Sequence, residues 1–235
     1  LDIGGESTRP GSAGISAEEE ISRVVPTLEV LSKGPKYPIP ISVDTNKSEV
    51  ARAALEHGAA IINDISGMAM DPRMGSVAAE YGAALILMHM RGTPETMQKL
   101  PPSPDIMGEI DAWANDAVAR AMACGVSSDR IILDPGVGFG KTADQNIEII
   151  VNISRLAAAG FPVMIGTSRK GFIGAVTRKP ARERVFGTCA TVAASILYGA
   201  HIVRVHDVAA ARDVADVTDV IARSGNTRGN GMLDI

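Results

Sequence analysis

Short apolar runs bounded by polar and turn-forming residues alternate along the chain with longer segments in which apolar residues recur every three or four positions. The short runs predict strands at Leu1–Ile3, Ile39–Val43, Ala60–Asn63, Ala83–Met88, Arg130–Leu133, Pro162–Ile165 and Ile202–Val205. A helical period follows each of them. In residues 46–58, Val50, Ala53 and Ala54 share a face and Gly58 supplies a stop. In residues 207–225, Asp207 stands where a helix cap belongs, Val214, Val217 and Ile221 share a face, and Gly225 lies beyond the end. Strands alternating with helices specify a parallel sheet, and near-continuous apolar runs specify strands buried on both faces.

Polar residues fall at or just after strand upon strand: Asp2, Asp44, Asn63 with Asp64, His89, Asp134, Ser168 and His206. A closed barrel directs the ends of its parallel strands at one mouth, whereas an open sheet spreads them along an edge. The expected fold is therefore α/β, a TIM (β/α)8 barrel lacking its first βα unit, because Leu1 opens the chain in what reads as the last residues of a strand. Residues 1–225 form the barrel domain. Residues 226–235, rich in Gly and Asn and without helical period, read as a flexible C-terminal tail.

Composition narrows the partners. With 235 residues and 46% hydrophobic content, the chain can bury one substantial core. A net charge of −4 and the absence of any basic run or stripe argue against a nucleic-acid surface. The two cysteines, Cys124 and Cys189, lie far apart in alanine-rich helical segments, which suits reduced core thiols. No apolar stretch approaches the roughly 20 residues that span a bilayer, and no signal peptide is expected. The expectation is a soluble, cytoplasmic protein that acts on small molecules.

The strand ends supply the chemistry. Asp44, Asn63 and Asp134 together suit a planar, donor-rich heterocycle, since carboxylates accept from N–H groups and an amide both donates and accepts. A lone Asp at a strand end is also a common helix cap, so the recurrence on separate strands is what favours a site. In FPVMIGTSRKGFI, residues 161–173, a buried run presents Ser168, Arg169 and Lys170 together. Lys170 suits a ring carbonyl, and Arg204 with His206 alternate onto one side of a strand in an arrangement suited to phosphate. His89 fits either a packed histidine or a site residue, and Met88 fits either packing or contact with a flat ring.

Two look-alikes fail. The stretch DPGVGFGKT has Pro135 where a P-loop requires glycine, and Gly136, Gly138 and Gly140 miss the dinucleotide-binding spacing. The loop remains suited to a close backbone approach. Four scattered histidines and two remote cysteines give no zinc spacing.

The motifs GGESTRPG, ISVDTNK, IINDISG, LMHMRGTP, ILDPGVGFGK, IGTSRKGFIG and GAHIVRVHDV resemble, in order and over nearly the whole chain, those of the dihydropteroate synthase family. The resemblance implies a transferase of folate biosynthesis that joins 6-hydroxymethyl-7,8-dihydropterin diphosphate to 4-aminobenzoate and releases pyrophosphate. It places Asp44, Asn63, Met88, Asp134, Lys170 and Arg204 around the pterin, and Thr8, Arg204 and His206 around the diphosphate. Thr8, Arg9, Pro10, Phe139 and Ser168 would frame the aminobenzoate pocket, where sulfonamides compete. Asp44, Lys170, Arg204 and His206 would carry the chemistry. Mg2+ is the implied cofactor and a homodimer the implied assembly.

The family opens with a strand and loop, resembling ILNVTPDSF, whose asparagine helps position magnesium; this stretch does not occur in the sequence. The metal ligand is accordingly expected outside this chain. Two sheet edges should be exposed, and the chain alone should show weak or no synthase activity. Alternative readings are a pterin-binding barrel serving a corrinoid methyltransferase, against which the SRK segment and the ESTRP loop count, and a non-catalytic pterin-binding module.

Overall fold

The structure, a computed structural model, describes residues 1–7, 14–33 and 39–226. Seven strands occur among them: β1 (Asp2–Gly4), β2 (Ser42–Asp44), β3 (Ile61–Asp64), β4 (Ala84–Met88), β5 (Ile131–Asp134), β6 (Met164–Ile165) and β7 (Ile202–Val203). Strands β1 to β5 pair in chain order, all parallel, and β6 pairs with β7 in the same sense. The two sheets are joined by a parallel bridge between Leu133 and Val163, where the Leu133 N–H donates to the Pro162 carbonyl at 2.9 Å. All seven strands thus run in sequence order, as in a TIM barrel.

The array is curled. In a flat sheet the spacing of about 4.8 Å per strand would hold its two edges nearly 30 Å apart. Instead Arg204, directly after β7, reaches Asp2 of β1 at 2.6 Å and Asp44 of β2 at 2.8 Å. Among the described residues β1 and β7 share no backbone pairing, so side chains connect the two edges.

Alternation along the strands sorts the residues into two faces. Val43, Ile62, Leu85, Leu87, Ile131, Leu133, Val163 and Ile165 are buried in one hydrophobic cluster with residues of the surrounding helices. Those helices include α1 (Ala17–Lys33), α2 (Ser48–Glu56), α3 (Met74–Tyr81), α4 (Ile106–Ala123), α5 (Ala143–Val151) and α6 (Ile153–Ala157). Further along come α7 (Gly171–Thr177), α8 (Val185–Leu197) and α9 (Val208–Asn226). Each such side chain contributes on the order of 1.5–3 kcal/mol by leaving water. The opposite face carries Asp44, Asn63, Ile86, Met88, Ile132 and Asp134, with Asp44 registered beside Asn63 and Met88 beside Asp134. Among the described residues no helix is long and apolar enough to cross a membrane.

Several expectations need correction. In α2 the buried face is Val50, Ala51, Ala54 and Leu55, with Ala53 only partly covered. In α9 the expected apolar face is largely exposed, Val217 at 61% and Ile221 at 57%, while Ala211 and Thr218 are buried. The helix therefore packs by its small residues. The Asp207 side chain is taken by Arg169 rather than serving as a cap. Cys124 and Cys189 are free thiols, as expected, but half-buried rather than in the core. Asn226, assigned to the tail, is the last residue of α9, and the rest of that segment lies outside the described residues.

Candidate active site

The carboxyl ends of the strands gather the polar residues into one cluster. Asp44 closes β2, Asn63 is the penultimate residue of β3, and Met88 and Asp134 close β4 and β5. All four are buried. Lys170 and Arg204 follow β6 and β7 in chain order, and His206 lies two residues further on. Arg204 and His206 are exposed, so the cluster has a buried floor and an open cationic rim.

Arg204 organises the floor, donating to both Asp2 and Asp44. Asn63 leans on the same Asp2 carboxylate at 3.4 Å. Asp44 uses Oδ2 for Arg204, while its buried Oδ1 has no hydrogen-bond partner among the described residues. An unsatisfied buried acceptor is costly, so this oxygen is placed to receive an N–H from a ligand. Burial, only partly opposed by Arg204, pushes the Asp44 carboxyl up to about 7, and Asp2, Glu20 and Asp64 add to the rise. Burial would lower the Arg204 guanidinium, but the Asp44 and Asp2 carboxylates more than offset that and keep it charged.

Burial also raises Asp134, against the Gly136 N–H that it accepts at 2.7 Å and the charge of Lys170. The Lys170 ammonium makes no hydrogen bond among the described residues and rests 4.1 Å from the centre of the Phe139 ring. Burial lowers it to about 8, with Asp134 opposing. A lysine so placed keeps N–H donors for a ligand while its charge is held by aromatic and carboxylate neighbours.

Ser168 is buried, and its hydroxyl accepts from the His206 backbone N–H at 3.1 Å and meets the His206 Nδ1 at 2.9 Å. Arg169 has a positive φ of 59° and forms a two-pronged pair with Asp207 at 3.1 and 2.7 Å. It anchors the loop after β6 to the start of α9. Arg204 and His206 do not share a strand, which ends at Val203, and they face different partners.

Asp64 takes the structural role open to a strand-end carboxylate, accepting from the N–H groups of Ser66 and Met68, both at 2.8 Å. His89 packs on Trp113 with ring centres 5.3 Å apart, and burial lowers it to about 3, so it stays neutral. Thr8, Arg9 and Pro10 lie outside the described residues. The segment leading to them is pinned, however. Glu6 accepts from the Ile15 N–H at 2.9 Å and from Lys47 at 2.7 Å, and Lys47 also reaches the fully buried Glu20 at 2.6 Å.

Sequence reasoning missed that Glu6–Lys47–Glu20 group and gave Asp2 no role beyond its place at a strand end. The signal for Asp2 was its alignment with the other strand-end acids; nothing in the sequence singled out Lys47. The described residues contain no group of three His, Cys, Asp or Glu side chains able to hold a metal ion. Mg2+ is more often held by one or two carboxylates together with substrate phosphates than by such a cage.

A parallel barrel with a carboxylate–amide–lysine floor and an Arg–His rim defines an enzyme that takes a flat, donor-rich ring bearing an anionic group. The sequence comparisons agree, since residues 1–206 match the family of pterin binding enzymes. A dihydropteroate synthase of Synechocystis sp. is 46% identical over 224 residues, covering 95% of this chain and 77% of that protein. A Clostridium difficile dihydropteroate synthase, solved in the presence of pteroic acid, superposes with a TM-score of 0.87 at 41% identity, covering 94% of this chain and 81% of that one. The Yersinia pestis enzyme in a sulfonamide drug complex gives a TM-score of 0.90 at 37% identity, covering 95% and 80% respectively. The chain belongs to the dihydropteroate synthase family of pterin-binding enzymes.

Proposed function

We propose that the buried cluster binds the pterin ring of 6-hydroxymethyl-7,8-dihydropterin diphosphate, and that the exposed rim faces its diphosphate and the incoming 4-aminobenzoate. The observation that carries this reading is the Oδ1 of Asp44, unpartnered among the described residues and registered beside Asn63, with Asp134 buried on the same face and the half-buried Lys170 next to them. Asp44 and Asp134 accept ring and amino N–H groups, Asn63 donates and accepts at the ring edge, and Lys170 donates to the ring carbonyl. Met88 and Arg204 pack against the ring faces.

In the reaction, the bond between the pterin methylene carbon and the diphosphate oxygen breaks, and its electron pair leaves with the pyrophosphate. The amine nitrogen of 4-aminobenzoate supplies the pair that forms the new C–N bond, and its proton passes to solvent. Positive charge develops on the methylene and the conjugated ring, so an ionised Asp44 favours the transition state over the ground state. Ring N–H donors on Oδ1 draw the Asp44 pKa back down and keep it ionised. Arg204 and His206 meet the departing negative charge, with Thr8 as the proposed third contact. No covalent enzyme intermediate is needed.

Thr8, Arg9, Pro10 and Phe139 are assigned to the aminobenzoate pocket. Ser168 stands at the same rim, but its hydroxyl is engaged by His206, so we assign it first to holding that histidine. A homodimer is the proposed assembly, supported by the exposed Phe186, Leu197 and Tyr198 at and beside α8. A cytoplasmic setting suits the two free cysteines.

The test is pyrophosphate release by the intact enzyme with and without 4-aminobenzoate. Pyrophosphate formed in step with dihydropteroate supports the reading. Binding of the pterin diphosphate with neither product would indicate a binding module instead, and methyl transfer from methyltetrahydrofolate a methyltransferase barrel.

A further inference from the structure

The glycine loop after β5, which resembles a nucleotide loop but lacks its spacing, ends in a lysine whose surroundings are unusual. Lys141 is 8% exposed, and its ammonium donates to three backbone carbonyls: His89 at 3.0 Å, Gly136 at 2.9 Å and Phe139 at 3.1 Å. An ammonium has three N–H groups, so its hydrogen-bonding capacity is fully used and none is left for a substrate. One side chain therefore ties the segment after β4 to two points of the loop after β5.

The loop needs such a tie. Gly136, Gly138 and Gly140 have φ of 67°, 86° and 72°, a left-handed series whose own backbone bonding is a turn from the Phe139 N–H to the Gly136 carbonyl at 3.1 Å. It is pressed so closely on its neighbour that a Cβ at Gly136 would lie 1.9 Å from the His89 carbonyl oxygen. A Cβ at Gly138 would lie 3.0 Å from Lys170 Cδ, and the Phe139 ring carries the Lys170 ammonium. The loop is also held by the Gly136 N–H to Asp134 at 2.7 Å, by Arg91 to the Gly140 carbonyl at 3.2 Å, and by the Gly138 N–H to Asn146 at 2.7 Å, in the first turn of α5, whose start is fixed by a Thr142–Gln145 capping box.

We propose that Lys141 is a positioning residue that fixes residues 135–140 in the conformation where Phe139 backs Lys170, and so sets affinity for both substrates while touching neither. The proposal rests on the dihydropteroate synthase reading. It also carries a pH signature. Burial lowers the Lys141 amine to about 7; Asp134 and Glu109 oppose the fall, Arg91 and Lys170 add to it, and neighbouring His89 is neutral. The three carbonyl dipoles favour the ammonium as well. A neutral amine has two N–H groups and turns its lone pair on the third carbonyl, so the loop loosens as pH rises past the Lys141 pKa.

The test uses the intact enzyme and compares wild type, K141M, F139A and the double variant. K141M should raise KM for 4-aminobenzoate about tenfold with a smaller change in kcat, and K141M with F139A should cost less than the product of the single effects, because one acts through the other. In wild type, KM for 4-aminobenzoate should rise above about pH 7, and K141M should lack that rise. If K141M does not fold, the wild-type profile and K141Q, which keeps two N–H donors, decide the matter. Wild-type KM in K141M, multiplicative effects in the double variant, or a flat wild-type profile overturns the proposal. A wild type that turns over no substrate refutes the synthase reading instead.

Discussion

Replacing Arg204 with methionine removes the side chain that connects the last strand to the first two, and its cost should depend on pH. The guanidinium makes two charge-assisted hydrogen bonds, at 2.6 Å to Asp2 and 2.8 Å to Asp44. Such bonds contribute about 1.5–3 kcal/mol, and more when a buried charge is left alone. Arg204 keeps 47% of its side chain in water, whereas Asp44 keeps 8%, so solvent screening holds the total near the lower end. We expect a loss of about 2 kcal/mol at pH 8, or about 4–8 °C in Tm for a chain of this size.

The pH dependence follows from Asp44. Its folded-state pKa, about 7, lies above the unfolded value, so the folded state holds a proton that the unfolded state has released between about pH 4 and 7. Stability contributed by this group is full below pH 4 and falls as pH rises through 7. Arg204 limits that fall by compensating the ionised carboxylate. Without it, the Asp44 pKa climbs further and ionisation at pH 8 becomes costly, while at pH 5 the carboxyl is neutral in both proteins and the loss shrinks to about 1 kcal/mol or less. Urea unfolding followed by circular dichroism at pH 5 and pH 8 measures both values. Equal losses at the two pH values would refute the coupling between Arg204 and Asp44.

Lys170→Ala should weaken pterin diphosphate binding about 10- to 100-fold, the value of one charged hydrogen bond, and calorimetry that finds an unchanged Kd sinks its assignment to the ring. The kcat/KM profile should be bell-shaped, falling below about pH 7 as Asp44 protonates and, on the basic side, as Lys141 at about 7 and Lys170 at about 8 lose their protons. Asp44→Asn should lower kcat about 100-fold and abolish the acidic limb; an acidic limb that persists in the variant belongs to another group. Ser168→Ala removes one hold on the His206 ring and should raise KM for the pterin diphosphate about 3- to 10-fold. A rise confined to 4-aminobenzoate would move Ser168 to the other substrate.

Much of this architecture is legible in the sequence because strand interiors and strand ends obey different rules. Val43, Ile62, Leu85 and Leu133 must be apolar to sit between sheet and helices, so their runs mark the strands. The chain then turns polar where burial stops, and Asp44, Asn63 and Asp134 mark those points. Boundaries are less legible: the segment starting at Ile39 pairs only from Ser42, and Val205 lies beyond β7. Amphipathic period shows that α9 has an apolar face but not which face packs. Small residues approach a neighbour closely, and there Ala211 and Thr218 are buried while Val217 and Ile221 are exposed.

Side-chain partners separated by most of the chain are harder still to read. Arg204 and Asp2 lie 202 residues apart, and only the curl of the sheet brings them together. Lys141 is the limiting case, because its partners are backbone carbonyls, which every residue possesses and no letter of the sequence distinguishes. What the sequence does record is the backbone shape those carbonyls require, in the alternate glycines at 136, 138 and 140. That spacing fails as a nucleotide loop, and here the Gly136 and Phe139 carbonyls point inward at a lysine from the same loop. A phosphate loop does the reverse, directing N–H groups at an anion. The same glycine-rich appearance thus serves opposite polarities, and the buried ammonium of Lys141 is what identifies the polarity here.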